Sequence, residues 1–229
     1  MPKPNASRFL FPLAVIILCL PAASHAHFIA LEWIKEHVVN MHNSRSVAWN
    51  FTRLGIEHIL IGYDHILFLI AMIIYGTRFR GNLKTITAFT VAHSITLALA
   101  ALNLVNLPSR LVESFIAASI VYVAIENIFV KVQTDRWKIA FLFGLIHGFG
   151  FASVLREIGL PTHKFWVALV TFNLGVEIGQ VIIVAAVFLI VSRLYSHEFY
   201  PKAATACTAV IAALGSFWFI SRAFNLGLG

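Results

Sequence analysis

Beyond residue 50 the chain alternates between long apolar runs and short polar breaks. Six apolar segments cover roughly 54–75, 85–106, 110–130, 137–155, 165–191 and 203–223. Each is close to the ~20 residues that cross a bilayer as a helix. Helix is required of them, because backbone groups in lipid must bond within their own segment. The pattern predicts an all-α membrane protein, a polytopic bundle of about six transmembrane helices over residues 51–229. Residues 27–50 read differently. Leu31, Ile34, Val38 and Met41 recur at helical spacing among His27, Glu32, Lys35, Glu36, His37, His42 and Arg45, as in a short extracytoplasmic amphipathic helix lying on the membrane surface. Residues 1–26 have the parts of a signal peptide: Lys3 and Arg8, the apolar run Phe9 to Leu20, and Ser24-His25-Ala26, with cleavage expected after Ala26.

Composition agrees with the pattern. Hydrophobic residues make up 59% and charged residues 12%, with a mean hydropathy of +0.85, against about 25% charged in a soluble domain. Bulky Leu18 before Cys19 argues against a lipoprotein cysteine. Cleavage after Ala26 leaves Cys207 as the one cysteine, so no intrachain disulfide is expected. It also removes Lys3 and Arg8 and lowers the net charge from +7 to +5. That excess belongs to loops rather than to nucleic acid. With the N-terminus outside, Arg78, Arg80, Lys84, Lys131, Arg136, Lys138, Arg193 and Lys202 fall in interior loops, and only Arg110, Arg156 and Lys164 in exterior interspan loops. This is the asymmetry of the positive-inside rule. The expected setting is the inner membrane of a Gram-negative cell, with both mature termini periplasmic.

The candidate chemistry lies inside the spans, where a charge at mid-depth costs roughly 2.5–3.5 kcal/mol. The first span holds Glu57-His58 and, seven residues on, Asp64-His65. On a continuous helix all four share an arc of roughly 120°. The two histidines then stand about 10 Å apart along the axis. That is too far to share one ion, so they read as two levels of a path or as two sites. Later spans add His93 and Ser94, then Glu126 and Asn127, then His147, then Asn173, Glu177 and Gln180. Asp64, His65, His93, His147, Asn173 and Glu177 fall near mid-span, Glu57 and His58 toward the outside, and Glu126 toward the inside. Gly144 with Gly148, and Gly175 with Gly179, form pairs of small residues that allow close helix approach. His27 becomes the mature N-terminus if cleavage follows Ala26, offering amine and ring together to a metal.

Imidazoles with carboxylates form a ligand set for zinc, nickel, cobalt, iron or copper, and adjacent acids could orient the rings. A proton relay uses the same residue types. Clustered carboxylates argue against haem.

The motif His58-x3-Gly62-x-Asp64-His65 resembles the signature of the HupE/UreJ membrane proteins, the hydrogenase and urease accessory family. The resemblance continues through Ala92-His93-Ser94-Ile-Thr96, Glu126-Asn127, Phe143-Gly-Leu-Ile-His147-Gly-Phe-Gly150 and Phe172-Asn173-Leu-Gly-Val-Glu177, over roughly residues 50–190. Ile59, where the first branch places proline, is similar to the second branch. The resemblance implies a nickel or cobalt permease serving metalloenzyme maturation proteins. It also implies metal-handling roles for His58, Asp64 and His65, completed by His93, His147 and Glu177.

The leading expectation is a transition-metal permease for nickel, cobalt or zinc. The ion would be captured outside with help from His27, His37 or His42. It would pass Glu57 and His58, bind at mid-depth, and leave past Glu126. The rival is an intramembrane zinc hydrolase built on His65, His93, His147, Asp64 and Ser94. A third reading is a non-transporting accessory protein for metallocentre maturation.

Overall fold

A computed structural model of the chain describes residues 43–76, 78–130, 135–152, 154–155 and 164–226. The signal peptide, His27, His37, His42 and most of the amphipathic segment lie outside the described residues. The described residues form helices and no strand. These are α1 (Ser44–Ile61), α2 (Tyr63–Ile73), α3 (Phe79–Ala101), α4 (Ser109–Phe129), α5 (Arg136–Gly150), α6 (Phe165–Leu194) and α7 (Tyr200–Phe224). The four helices α3, α4, α6 and α7 are each long and apolar enough to cross a membrane, and α1 with α2 qualifies as a bent pair. Helix α5 has 15 residues, short of the ~20 that span a bilayer unaided. The protein is a multi-pass helical membrane protein.

The first span departs from the expected single helix. It starts at Ser44, where Asn43 accepts a hydrogen bond from the Ser46 N–H at 2.8 Å as an N-cap. Residues 44–50 therefore belong to the same helix as the start of the span. The helix then breaks at Gly62, and α2 leaves at 69° to α1. Gly62 has φ −73° and ψ 98°, angles open to any residue, so backbone freedom is not what fixes glycine here. Space is. A Cβ at position 62 would lie 2.6 Å from the His58 carbonyl oxygen and 2.9 Å from Nδ1 of His65. Gly62 itself is satisfied on both sides: its N–H donates to the His58 carbonyl, and its carbonyl accepts from the Ile66 N–H, each at 3.0 Å, as backbone in a membrane requires.

The remaining helices pair at the expected glycines. On α5, Gly144 sits against Phe89 and Ala92 of α3, and Gly148 against His93 and Thr96, so α3 and α5 run in the same direction. On α6, Gly175 meets Thr52 and Gly55 of α1, and Gly179 meets Ile56 and Ile59, so α1 and α6 are also parallel. Gly215 of α7 packs on Ile120 and Val121 of α4. Arg222, seven residues on, reaches the Glu113 carbonyl, so that pair is antiparallel. Hydroxyls inside the helices are satisfied locally: Thr90 donates to the Ile86 carbonyl at 3.2 Å and Thr208 to Ala204 at 2.8 Å, which makes them tolerable in an apolar bundle.

The close approaches set a test. A Cβ at Gly175 would lie 2.0 Å from the Thr52 carbonyl oxygen, while one at Gly81 meets nothing nearer than 3.9 Å. Gly175→Ala should destabilise the bundle by about 1–3 kcal/mol, as overpacking does. Gly81→Ala should be neutral or stabilise by up to about 1 kcal/mol. Thermal unfolding of both variants in detergent checks the contrast.

Candidate metal centre

The bend at Gly62 decides the geometry of the site. Because α2 turns away, His65 swings back toward His58, and their ring centroids lie 4.6 Å apart. The two-level arrangement expected from a straight helix is therefore incorrect. His58, His65 and His93 each offer a ring nitrogen, and these atoms all lie within 4.8 Å of one another. His147 adjoins the group, its ring centroid 5.4 Å from that of His65. All four rings are buried, with His93 at 0% and His147 at 1% exposure.

Two rings have their tautomers set by neighbours. The Asn173 amide donates to the Leu169 carbonyl at 2.8 Å, which leaves its oxygen facing Nδ1 of His93 at 3.3 Å. That nitrogen is the donor, and Nε2 of His93 carries the lone pair. Nδ1 of His147 faces the Phe143 carbonyl at 2.8 Å, so Nε2 of His147 is likewise the lone-pair atom. Neither Nε2 has a hydrogen-bond partner, and neither nitrogen of His65 has one. A buried polar atom left unpaired costs about 1–3 kcal/mol. Several such nitrogens facing one spot make a ligand set for a borderline transition-metal ion. An acceptor on the far ring nitrogen is the usual support for such ligands.

Aromatic rings close the cluster on two sides. Toward the end of the bundle that carries the α2–α3 and α4–α5 loops lie Phe68 and Phe89, with ring centroids 5.4 Å apart. Phe68 is 5.1 Å and Phe89 5.0 Å from the His147 ring. Toward the opposite end, Phe151 and Phe172 stack with centroids 4.8 Å apart, and Phe151 is 4.2 Å from His58.

The carboxylates go elsewhere. Glu57 pairs with Arg53 at 2.7 Å. Asp64 pairs with Arg222 of α7 at 3.0 Å. Glu126 lies 3.5 Å from Arg136 of α5, whose guanidinium also donates to the Asn127 side chain. Glu177 accepts from the Thr87 hydroxyl at 2.6 Å. So the acid–imidazole pairs read along the first span are acid–arginine pairs in the fold, and the groups that orient the rings are an amide and a carbonyl. Ser94, the serine of the hydrolase reading, donates to the Thr90 carbonyl at 2.6 Å. The residues brought together are His58, His65, His93 and His147, with Asn173 supporting. Glu57, Asp64, Glu126 and Glu177 each have another partner and are not part of the close His58, His65 and His93 group, and His27 lies outside the described residues. Arg222, Phe68, Phe89 and Phe151 were not singled out by sequence, Phe172 entered only as part of a motif, and Arg136 only as a loop cation. With 20 phenylalanines in the chain, composition marks no one of them.

Among curated proteins and among solved structures, nothing matches the chain. A family model described as HupE/UreJ protein matches residues 34–222, a stretch that contains all seven helices up to the last turn of α7. The chain belongs to the HupE/UreJ family.

Proposed function

We propose that the protein is a permease for a divalent transition metal of the nickel or cobalt type, with the ion as its cargo. The observation that carries this reading is the buried cluster of His58, His65 and His93, with unpaired Nε2 atoms on His93 and His147. Neutral imidazoles suit nickel, cobalt and zinc better than magnesium or calcium, which prefer oxygen ligands. Family membership favours nickel or cobalt. The paired arginines fit the same reading. They pair with Asp64 and Glu126 on either side of the cluster, while Glu177 is held by the Thr87 hydroxyl. Phe68 with Phe89, and Phe151 with Phe172, would close the two approaches in turn.

The helix directions support six alternating crossings, made by the α1–α2 pair, α3, α4, α5, α6 and α7. Parallel α1 and α6, parallel α3 and α5, and antiparallel α4 and α7 are what that alternation requires. The basic loops then face the cytoplasm, and the setting is the inner membrane with periplasmic termini.

Uptake of nickel or cobalt into proteoliposomes tests the function directly. Wild-type protein should accumulate the ion, and His65→Ala and His93→Ala should fall to the level of empty vesicles. Undiminished uptake in both variants would sink the permease reading. Uptake absent from wild type, with metal still bound by the purified chain, would favour the accessory role.

Two further substitutions probe how the site is built. Asn173→Leu removes the acceptor that holds His93 and should weaken metal binding about 10–100-fold, as measured by equilibrium titration. Gly62→Ala forces a methyl group against Nδ1 of His65 and should weaken binding while leaving the helix content unchanged by circular dichroism.

A further inference from the structure

A second polar centre lies far from the histidines, at the end of the bundle that carries the α2–α3 and α4–α5 loops. A cavity of about 300 Å³ opens there between the start of α3 and the start of α5. Its walls carry three cationic side chains, Arg78, Lys84 and Arg136, and one acid, Asp135. Asp135 is engaged by Lys138 at 2.8 Å, which also holds its carboxyl below the usual carboxylate range. Lys84 is held over the Trp137 ring at 4.3 Å.

Two features point to a ligand rather than to a merely basic surface. First, α3 and α5 both begin at the cavity, and neither N-terminus has a side-chain cap. Helix N-termini carry unsatisfied N–H groups and a partial positive charge that favour anions. Second, Asn82 lines the cavity at 6% exposure. Its Nδ2 has no hydrogen-bond partner. Its Oδ1 is packed so tightly against Gly76 that a Cβ there would come within 2.2 Å. The amide is therefore fixed with a buried donor unspent. The Nε of Arg136 is also buried and unpaired.

We infer that this cavity is a binding site for a phosphate-type oxyanion, held by Arg78, Lys84, Arg136 and the Asn82 amide at the converging starts of α3 and α5. Such a group is acceptor-rich and negatively charged. It matches the guanidinium and ammonium donors, which bind phosphate through charge-assisted hydrogen bonds. At this depth, level with the ends of the spans, two sources offer the group: the headgroup of an anionic phospholipid, and free phosphate from solution. The site is separate from the histidine cluster and does not depend on the transport reading.

The test uses the purified full chain with two probes. In nanodiscs, retention of phosphatidylglycerol against phosphatidylcholine is read by native mass spectrometry. In lipid-free detergent, inorganic phosphate is titrated and thermal stability followed. The double variant Arg78→Gln, Lys84→Gln should lower affinity for the responding probe by about tenfold, the scale of one lost charge-assisted hydrogen bond. Asn82→Leu should lower it as well. Arg80→Gln removes a neighbouring exposed cation that does not line the cavity, and it should leave affinity unchanged. Arg78, Arg80 and Lys84 are exposed, so their variants should fold. Preference for phosphatidylglycerol identifies a headgroup site, and stabilisation by inorganic phosphate identifies a soluble-anion site. No response of wild type to either probe overturns the inference. So does an equal loss in Arg80→Gln and the double variant, which would mean a diffuse basic surface.

Discussion

Three imidazoles converge in one small buried volume with a fourth beside them, and the rest of the centre is arranged around that constraint. On a straight helix His58 and His65 would stand roughly 10 Å apart. With α2 turned by 69° at Gly62, their rings are 4.6 Å apart. The turn is possible because position 62 has no side chain to strike the His58 carbonyl and the His65 ring. It then has to be held. Gly55 lets α1 lie against the backbone of α6 at Phe172 and Val176, and Gly148 lets α5 lie against α3 at His93 and Thr96. Both close approaches flank the histidines, so helix packing and ligand geometry are set by the same residues.

Charge in the bundle is separated from the cluster rather than concentrated in it. A buried carboxylate without a partner is costly, and removing one member of a buried pair leaves the other exposed to that cost. Here Asp64 has Arg222 and Glu126 has Arg136, each pair joining different helices. The two pairs lie on either side of the imidazoles along the bundle axis, and Glu177 is left with a hydroxyl rather than a cation as its partner. A centre with carboxylates as ligands would hold a divalent ion more tightly by direct Coulomb attraction in a low dielectric. Neutral imidazoles give affinity without that added depth, a property that suits an ion in transit.

Much of this was legible in the sequence. The helices follow from apolar runs near span length, and the starts of α4 and α6 fall within a residue of the expected segments. The histidines were legible because an ionisable group in a span carries a cost that something must justify. The two glycine pairs were legible as close contacts. The geometry of the first span was not. Helical periodicity carries through a single glycine without a mark, so it projected His58 and His65 onto two levels. The carboxylates were misleading for a related reason. Glu57 precedes His58 and Asp64 precedes His65, and adjacency suggested acid–imidazole pairs. Neighbours in sequence on a helix point about 100° apart, so Glu57 turns to Arg53 on its own helix and Asp64 to Arg222 on α7. Arg222 comes from 158 residues away, a distance at which one sequence offers no pattern to read.

The histidine cluster and the basic cavity hold their unspent polar groups in different ways. Around the histidines the unpaired nitrogens are buried between two phenylalanine pairs, so a ligand that reaches the cluster makes desolvated contacts. At the start of α3 and α5 the unspent donors are the Asn82 amide and the Arg136 Nε, set among cations, and the cavity is open to water and headgroups. On the readings proposed above, one site would take a borderline cation that sheds its hydration, and the other a hard anion that keeps part of it. Glu126 and Arg136 stand between them. Arg136 lies 3.5 Å from Glu126 and also lines the basic cavity. One guanidinium is thus shared between a carboxylate inside the bundle and the basic cavity at its end.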